Sequence, residues 1–311
     1  MGRLEGKVAF ITGAARGQGR ADALRLAAEG ADIVAFDICA PIPGRDMVPA
    51  ATRDDLAETE RCVKEMGRQA LAVVGDTRDF TDLQGAVDAA RTRFGGIDVV
   101  IANAGTIGGN ALAHEISEND WQTTLDINLL GVWLTVKAAL PGMIAAGRGG
   151  SIILISSAAG IKPTAHLADY GASKAAVIHL TRVLALENGV HNIRVNCIAP
   201  GTVDTPMVLN DAVFRLFRPD LESPTRADVE PTFSDLAVLK SNPLLDPGDI
   251  ANAVLWLASD EAAFVTGVTL PSTWGPACND TPGSASPPLV HRGVQGDAPT
   301  AVTACRPLAA P

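Results

Sequence analysis

A five-residue apolar run, Val8–Thr12, breaks into Gly13-Ala14-Ala15-Arg16-Gly17-Gln18-Gly19 and then into a helical pattern, and this junction constrains the chain most. A strand feeding a glycine-rich turn and a helix N-terminus makes a phosphate cradle. Glycine allows a tight turn and close backbone approach, and the first helix amides point at the anion. Asp37 then closes a second apolar run at the distance where a carboxylate meets an adenosine ribose.

The rest of the chain repeats this alternation. Val8–Thr12, Asp32–Asp37, Ala70–Val74, Val99–Ala102, Ser151–Ile155 and Arg194–Ala199 read as strands, several apolar throughout as in parallel sheets covered on both faces. Between them Gly19–Glu29, Asp54–Met66, Thr81–Phe94, Trp121–Ala146 and Tyr170–Glu187 read as helices. The expectation is a single-domain, doubly wound parallel α/β sheet of Rossmann type over residues 1–270, with helices on both faces. Two stretches interrupt it. Cys39–Thr52 exceeds the usual ~2–6 residue connection. Asp204–Pro243 mixes Phe214, Leu216, Phe217 and Leu221 with prolines and charges, as a substrate lid would.

The loop and Asp37 together point to NAD. Asp37 accepts ribose hydroxyls and repels a 2′-phosphate, whereas Arg16 reads as a solvated side chain. The net charge of −10 argues against nucleic acid or an anionic membrane as partner. No uninterrupted apolar run reaches the ~18 residues of a membrane span, and the N-terminus carries no secretory stretch. The five cysteines are scattered and the five histidines lack ligand spacing, so no disulfide framework or metal site is expected and a reducing cytoplasm fits.

The chain holds one tyrosine, Tyr170, with Lys174 one helical turn later. A phenol has a pKa of about 10 and is a poor base near neutrality. An adjacent ammonium and a cationic nicotinamide ring would lower it. Ser157 follows the fifth strand, where its hydroxyl could orient a substrate oxygen, and Asn128 interrupts an apolar helix.

In these residues the chain resembles a short-chain dehydrogenase/reductase over residues 5–270. Thr12-Gly13-x-x-x-Gly17-x-Gly19 matches the family cofactor loop, and Asn103-Ala104-Gly105 matches its motif at the fourth strand. Asp76, with Thr77, falls where the family places a carboxylate near the adenine. Asn128, Ser157, Tyr170 and Lys174 match its tetrad, and Pro200-Gly201-Thr202-Val203-x-Thr205 matches the segment holding the nicotinamide carboxamide. The resemblance implies that a secondary alcohol and a ketone are interconverted, with Gly13, Arg16, Gly17, Gln18 and Gly19 at the cofactor. It also implies a homodimer or homotetramer paired through the helices of Asn128 and Tyr170. A narrower resemblance runs through Gly6–Arg20 and Phe36–Ile42 to the mycofactocin-coupled, carveol dehydrogenase-like subfamily. It implies NAD that does not exchange, with electrons leaving through mycofactocin. The apolar lid suggests a small hydrophobic alcohol or ketone. An ordinary dehydrogenase with freely exchanging NAD, or a non-catalytic NAD sensor, are the alternatives.

From Pro271 the chain carries eight of its twenty prolines, too many to extend a helix or central strand. Residues 271–311 read as a disordered tail. The family typically continues Val-Asp-x-Gly. Codons for Pro271-Ser272-Thr273-Trp274-Gly275 can read so that restoring one nucleotide yields Pro-Val-Asp-Leu-Gly, so a deletion competes with a genuine extension. The gene sequence decides between them.

Overall fold

The computed structural model describes residues 2–108, 111–237, 239 and 244–272. Strand β1 (Val8–Thr12) is buried along its whole length and runs into α1 (Gly17–Ala28). Then come β2 (Asp32–Asp37), α2 (Arg53–Glu65), β3 (Ala70–Val74), α3 (Phe80–Phe94) and β4 (Val99–Ala102). Helix α4 (Glu118–Leu125) passes through a π-helical turn, Asp126–Leu130, into α5 (Gly131–Ala146). After β5 (Gly150–Ile155) come α6 (Ala168–Asn188) and β6 (Ile193–Ala199), then α7 (Asp211–Phe217), α8 (Arg226–Leu236), α9 (Pro247–Ala258) and β7 (Thr269–Pro271).

The strands form one sheet in the order β3-β2-β1-β4-β5-β6-β7, every pairing parallel. One face is covered by α1, α2 and α9, the other by α3, α5 and α6. Phe10 and Phe36, both fully buried, meet edge to face at 6.0 Å on the second face. Burying each ring contributes ~2–3 kcal/mol. The strand order reverses between β1 and β4, and the crevice outside their carboxyl ends is where such sheets bind ligands.

Several boundaries differ from expectation. Helix α1 begins at Gly17 and α6 at Ala168, because the chain turns helical as soon as the glycine loop and Leu167 release it. The segment expected to be one helix from Trp121 starts at Glu118, capped by the Ser117 hydroxyl, and is broken by the π turn. Taken through the π turn, Glu118–Ala146 is long and apolar enough to cross a membrane by length and composition, although Asp126, Asn128, Thr135 and Lys137 interrupt its apolar run. Its apolar residues, including Val132, Leu134, Val136 and Met143, are packed in the core against the sheet.

Helix α9 went unread, yet Asp246-Pro247-Gly248-Asp249 is a capping box with proline at the first turn. Strand β7 includes Pro271, paired opposite Ala199, and the Ser272 amide donates to Ala199 at 3.2 Å. The expected boundary before Pro271 therefore moves outward. Proline is tolerated there because β7 is an edge strand. The proposed reframing and disordered tail beyond Ser272 lie outside the described residues.

Candidate active site

The loops at the carboxyl ends of β1 to β6, with the start of α6, enclose a cleft of about 1250 Å³ including its open mouth. Gly13 (φ +67°) and Gly17 (φ +55°) take left-handed conformations that side chains rarely adopt. A Cβ on Gly19 would stand 2.1 Å from the Gly13 carbonyl oxygen. Gly19 is thus the packing glycine that lets α1 start directly under the loop, and it does not line the cleft. Gly13, Arg16, Gly17 and Gln18 do.

Asn103 ties β4 to β1: its amide donates to the Thr12 and Gly13 carbonyls at 2.9 and 3.2 Å. The Thr12 hydroxyl accepts the Asn103 and Ala104 amides. Asp37 is buried at the cleft wall, its two oxygens accepting the Ala15 and Cys39 amides at 3.0 and 3.1 Å. Each oxygen retains a further lone pair. Asp76 and Thr77 also line the cleft, and Asp76 is gripped by the Arg78 guanidinium. Of the carboxamide segment, Thr205 lines the cleft, while Pro200, Gly201 and Val203 stand behind it. There the Pro200 carbonyl accepts the Ala158 amide at 2.8 Å.

Tyr170 and Lys174 lie one turn apart on α6 and both face the cleft. The Tyr170 hydroxyl is hydrogen bonded to Ser157, which the loop after β5 carries to it. Ser157 also caps the following turn through the Ala159 amide. The Lys174 ammonium donates to the Ile155 carbonyl at 3.0 Å and stands 5.8 Å from the Tyr170 ring centroid. Burial lowers its pKa to about 8.

Burial also pushes the Tyr170 phenol above its ordinary value, and the Ser157 bond only partly offsets this. Lys174 by itself does not offset that burial, and the expectation rests on its acting together with a cationic nicotinamide ring. Its charge is spent on a carbonyl, and a second positive charge is needed.

The π turn has a visible purpose. It places Asn128, fully buried, so that its side chain exchanges two hydrogen bonds with the Thr106 backbone, at 2.8 and 2.9 Å. The same amide donates to Ser173 at 3.2 Å, and Ser173 donates to the Tyr170 carbonyl. Asn128 is therefore a strut between the β4 loop and α6.

The sequence missed how far the Cys39–Thr52 segment reaches. Ile38, Ala40, Ile42, Arg45 and Val48–Ala51 all line the cleft. The Arg16 guanidinium donates to the Pro49 carbonyl, so Arg16 clips the segment to the phosphate loop and is not simply solvated. Arg45 had no sequence signal beyond its place in a Gly-Arg-Asp turn.

The Asp204–Pro243 excursion packs partly on itself. Its two ends meet where the Leu245 amide donates to Thr202 and the Leu245 carbonyl accepts from Asp204, both at 2.9 Å. Phe217 and Phe233 meet at 5.1 Å beside Val229 and Leu244, with Phe214 against them, so these side chains form the lid's own small core. Among the described residues no group of three or more His, Cys, Asp or Glu could hold a metal.

The residues present fit a dinucleotide. Two left-handed glycines shape the cradle, and Gln18 keeps a buried Oε1 without a partner among the described residues. Gly105 is bare where a Cβ would stand 3.3 Å from Lys174 Nζ.

Comparison with known proteins agrees. The family model for short chain dehydrogenase matches residues 7–212. The chain is 44% identical over 275 residues to (−)-trans-carveol dehydrogenase of Rhodococcus erythropolis, covering 87% of this chain and 97% of that protein. The crystal structure of carveol dehydrogenase from Mycobacterium avium in complex with NAD superposes with a TM-score of 0.86 at 50% identity, covering 88% of this chain and 99% of that one. A short chain dehydrogenase from Mycobacterium paratuberculosis bound to NAD gives a TM-score of 0.79 at 45% identity, covering 88% and 98%. The chain belongs to the short chain dehydrogenase family.

Proposed function

We propose that this short chain dehydrogenase interconverts a small hydrophobic secondary alcohol and its ketone with tightly held NAD. The observation that carries the reading is the Tyr170 hydroxyl on Ser157 with Lys174 one turn away, at the mouth of a glycine-lined cleft. Gly13, Gly17 and the first amides of α1 would cradle the pyrophosphate, and Asp37 would hold the adenosine ribose. Asp76 and Thr77 would border the adenine, and Thr205 the carboxamide. When bound, NAD supplies the hydride acceptor and a positively charged ring.

In oxidation Ser157 orients the alcohol oxygen while ionised Tyr170 takes its proton, and the hydrogen on the carbinol carbon departs as hydride. The carbon–oxygen bond becomes a carbonyl, and the phenol returns its proton to solvent. Lys174 supplies one of the two positive charges that bring the buried phenol down, and it would hold the nicotinamide ribose. Asn128 keeps Tyr170 in register through Ser173.

The similarity to carveol dehydrogenases supports a cyclic terpenoid alcohol as substrate class. With the lid aromatics committed to their own core, this similarity supports a hydrophobic substrate better than the lid does. The Cys39–Thr52 strap lining the cleft supports NAD that stays bound, with mycofactocin as the outside electron carrier. Leu130 and Trp133 beside and on α5, and Val183 and Leu186 on α6, are exposed, which supports a dimer or tetramer paired through those helices.

The test is to pass purified protein through gel filtration and measure NAD released on denaturation. Retained NAD, and alcohol oxidation with a dye acceptor but hardly with added NAD, is the expected result. Rapid steady-state turnover on free NAD would refute tight holding.

A further inference from the structure

We propose that Arg45 is a latch. It holds the Cys39–Thr52 strap shut across the cleft and, through Thr124 and Asp169, ties that closure to the position of Tyr170. Arg45 sits in a turn of the strap, its amide donating to Ile42 and its carbonyl accepting from Val48. It is only 6% exposed although it belongs to a surface excursion. Its guanidinium crosses to α4, donating to the Asp120 carbonyl at 2.5 Å and the Thr124 hydroxyl at 2.8 Å, with the Asp120 carboxylate at 3.4 Å.

Thr124 is fully buried, and its hydroxyl donates to Asp169 Oδ2 at 2.7 Å. Asp169 is also fully buried, and its other oxygen accepts the Tyr170 amide at 2.8 Å. Gly108 presses on that carboxylate so closely that a Cβ there would stand 2.1 Å from it. The carboxylate lies in the first turn of α6, where the helix dipole favours negative charge. One buried chain of hydrogen bonds therefore runs from the strap to the residue proposed to move the proton.

A buried charged network is costly to break from one end, because the groups left behind lose a partner without regaining water. Opening the strap withdraws the guanidinium from Thr124, so closure and the setting of α6 favour each other. Arg45, Thr124 and Asp169 are positioning residues and touch no reacting atom.

The inference rests on the dinucleotide reading above, and the test separates the two. Amide hydrogen exchange in residues 39–52 is compared between parent and R45M without added ligand, which reads the latch even if NAD were not the occupant. NAD release and single-turnover oxidation are then measured in loaded parent, R45M, R45K and T124V. We expect faster strap exchange and at least tenfold faster NAD release in R45M, with R45K recovering part of the loss. T124V should slow single turnover at least fivefold and speed release less than R45M does, since Arg45 still holds Asp120. Strap exchange and release within twofold of the parent in R45M would overturn the latch, and parent-like turnover in T124V would overturn the tie to Tyr170. If R45M fails to fold by circular dichroism, R45K against T124V decides by the same ratios, with threefold faster release expected for R45K.

Discussion

Asp22 sits inside α1 and is 0% exposed with neither carboxyl oxygen partnered among the described residues. Burial without compensation pushes its pKa well above the ordinary 3.8. The folded state therefore holds a proton that the unfolded chain gives up, and stability falls as pH rises from 3.8 towards the folded value. Each pH unit within that window costs ~1.4 kcal/mol. Taking up the proton at pH 7 against an unfolded value of 3.8 costs at most 3.2 × 1.36, or ~4 kcal/mol.

Asp22→Asn keeps the shape and removes the titration. Urea unfolding should show the variant gaining on the parent as pH rises above 3.8, by up to ~1.4 kcal/mol per pH unit until the folded carboxyl ionises. Equal pH slopes in the two proteins would refute the reasoning, as would an Asn variant less stable than the parent at pH 7.

The site should show the opposite exchange of stability for function. Lys174 is lowered from 10.5 to about 8 by burial, a cost of ~3 kcal/mol at neutral pH. Lys174→Met should lose turnover yet unfold at higher urea, its advantage shrinking from pH 8 to pH 10.5 as the parent sheds the misplaced charge. Gly19→Ala should weaken dinucleotide affinity at least tenfold by calorimetric titration, because its Cβ would collide with the Gly13 carbonyl and displace the loop. Light scattering should report a dimer or tetramer, and Leu186→Glu should shift it towards monomer; a monomeric parent counts against pairing through α5 and α6.

Sequence reading reached furthest where local chemistry and global fold agree. Strands β1, β2, β3 and β4 were legible to the residue, because continuous β-branched runs bounded by glycine and charge admit no other element there. Tyr170, Lys174 and Ser157 were legible because a fixed helical spacing and one strand end determine their meeting. What stayed hidden depends on tertiary contact. Nothing local says that Arg45 crosses to α4, that Phe217 turns inward to Phe233, or that Asn128 sits in a π turn. Spacing places Lys174 beside Tyr170, but only the fold shows its ammonium donating to the Ile155 carbonyl.

The central claim is that Tyr170 moves the proton while NAD held in the cleft takes the hydride. The most direct measurement adds carveol to NAD-loaded protein without any outside acceptor and follows the absorbance of reduced nicotinamide, in the parent and in Tyr170→Phe. The account predicts a burst of one reduced nicotinamide per subunit in the parent. It predicts none on the same timescale in the variant, which should retain its NAD. A burst of equal rate in Tyr170→Phe would contradict it.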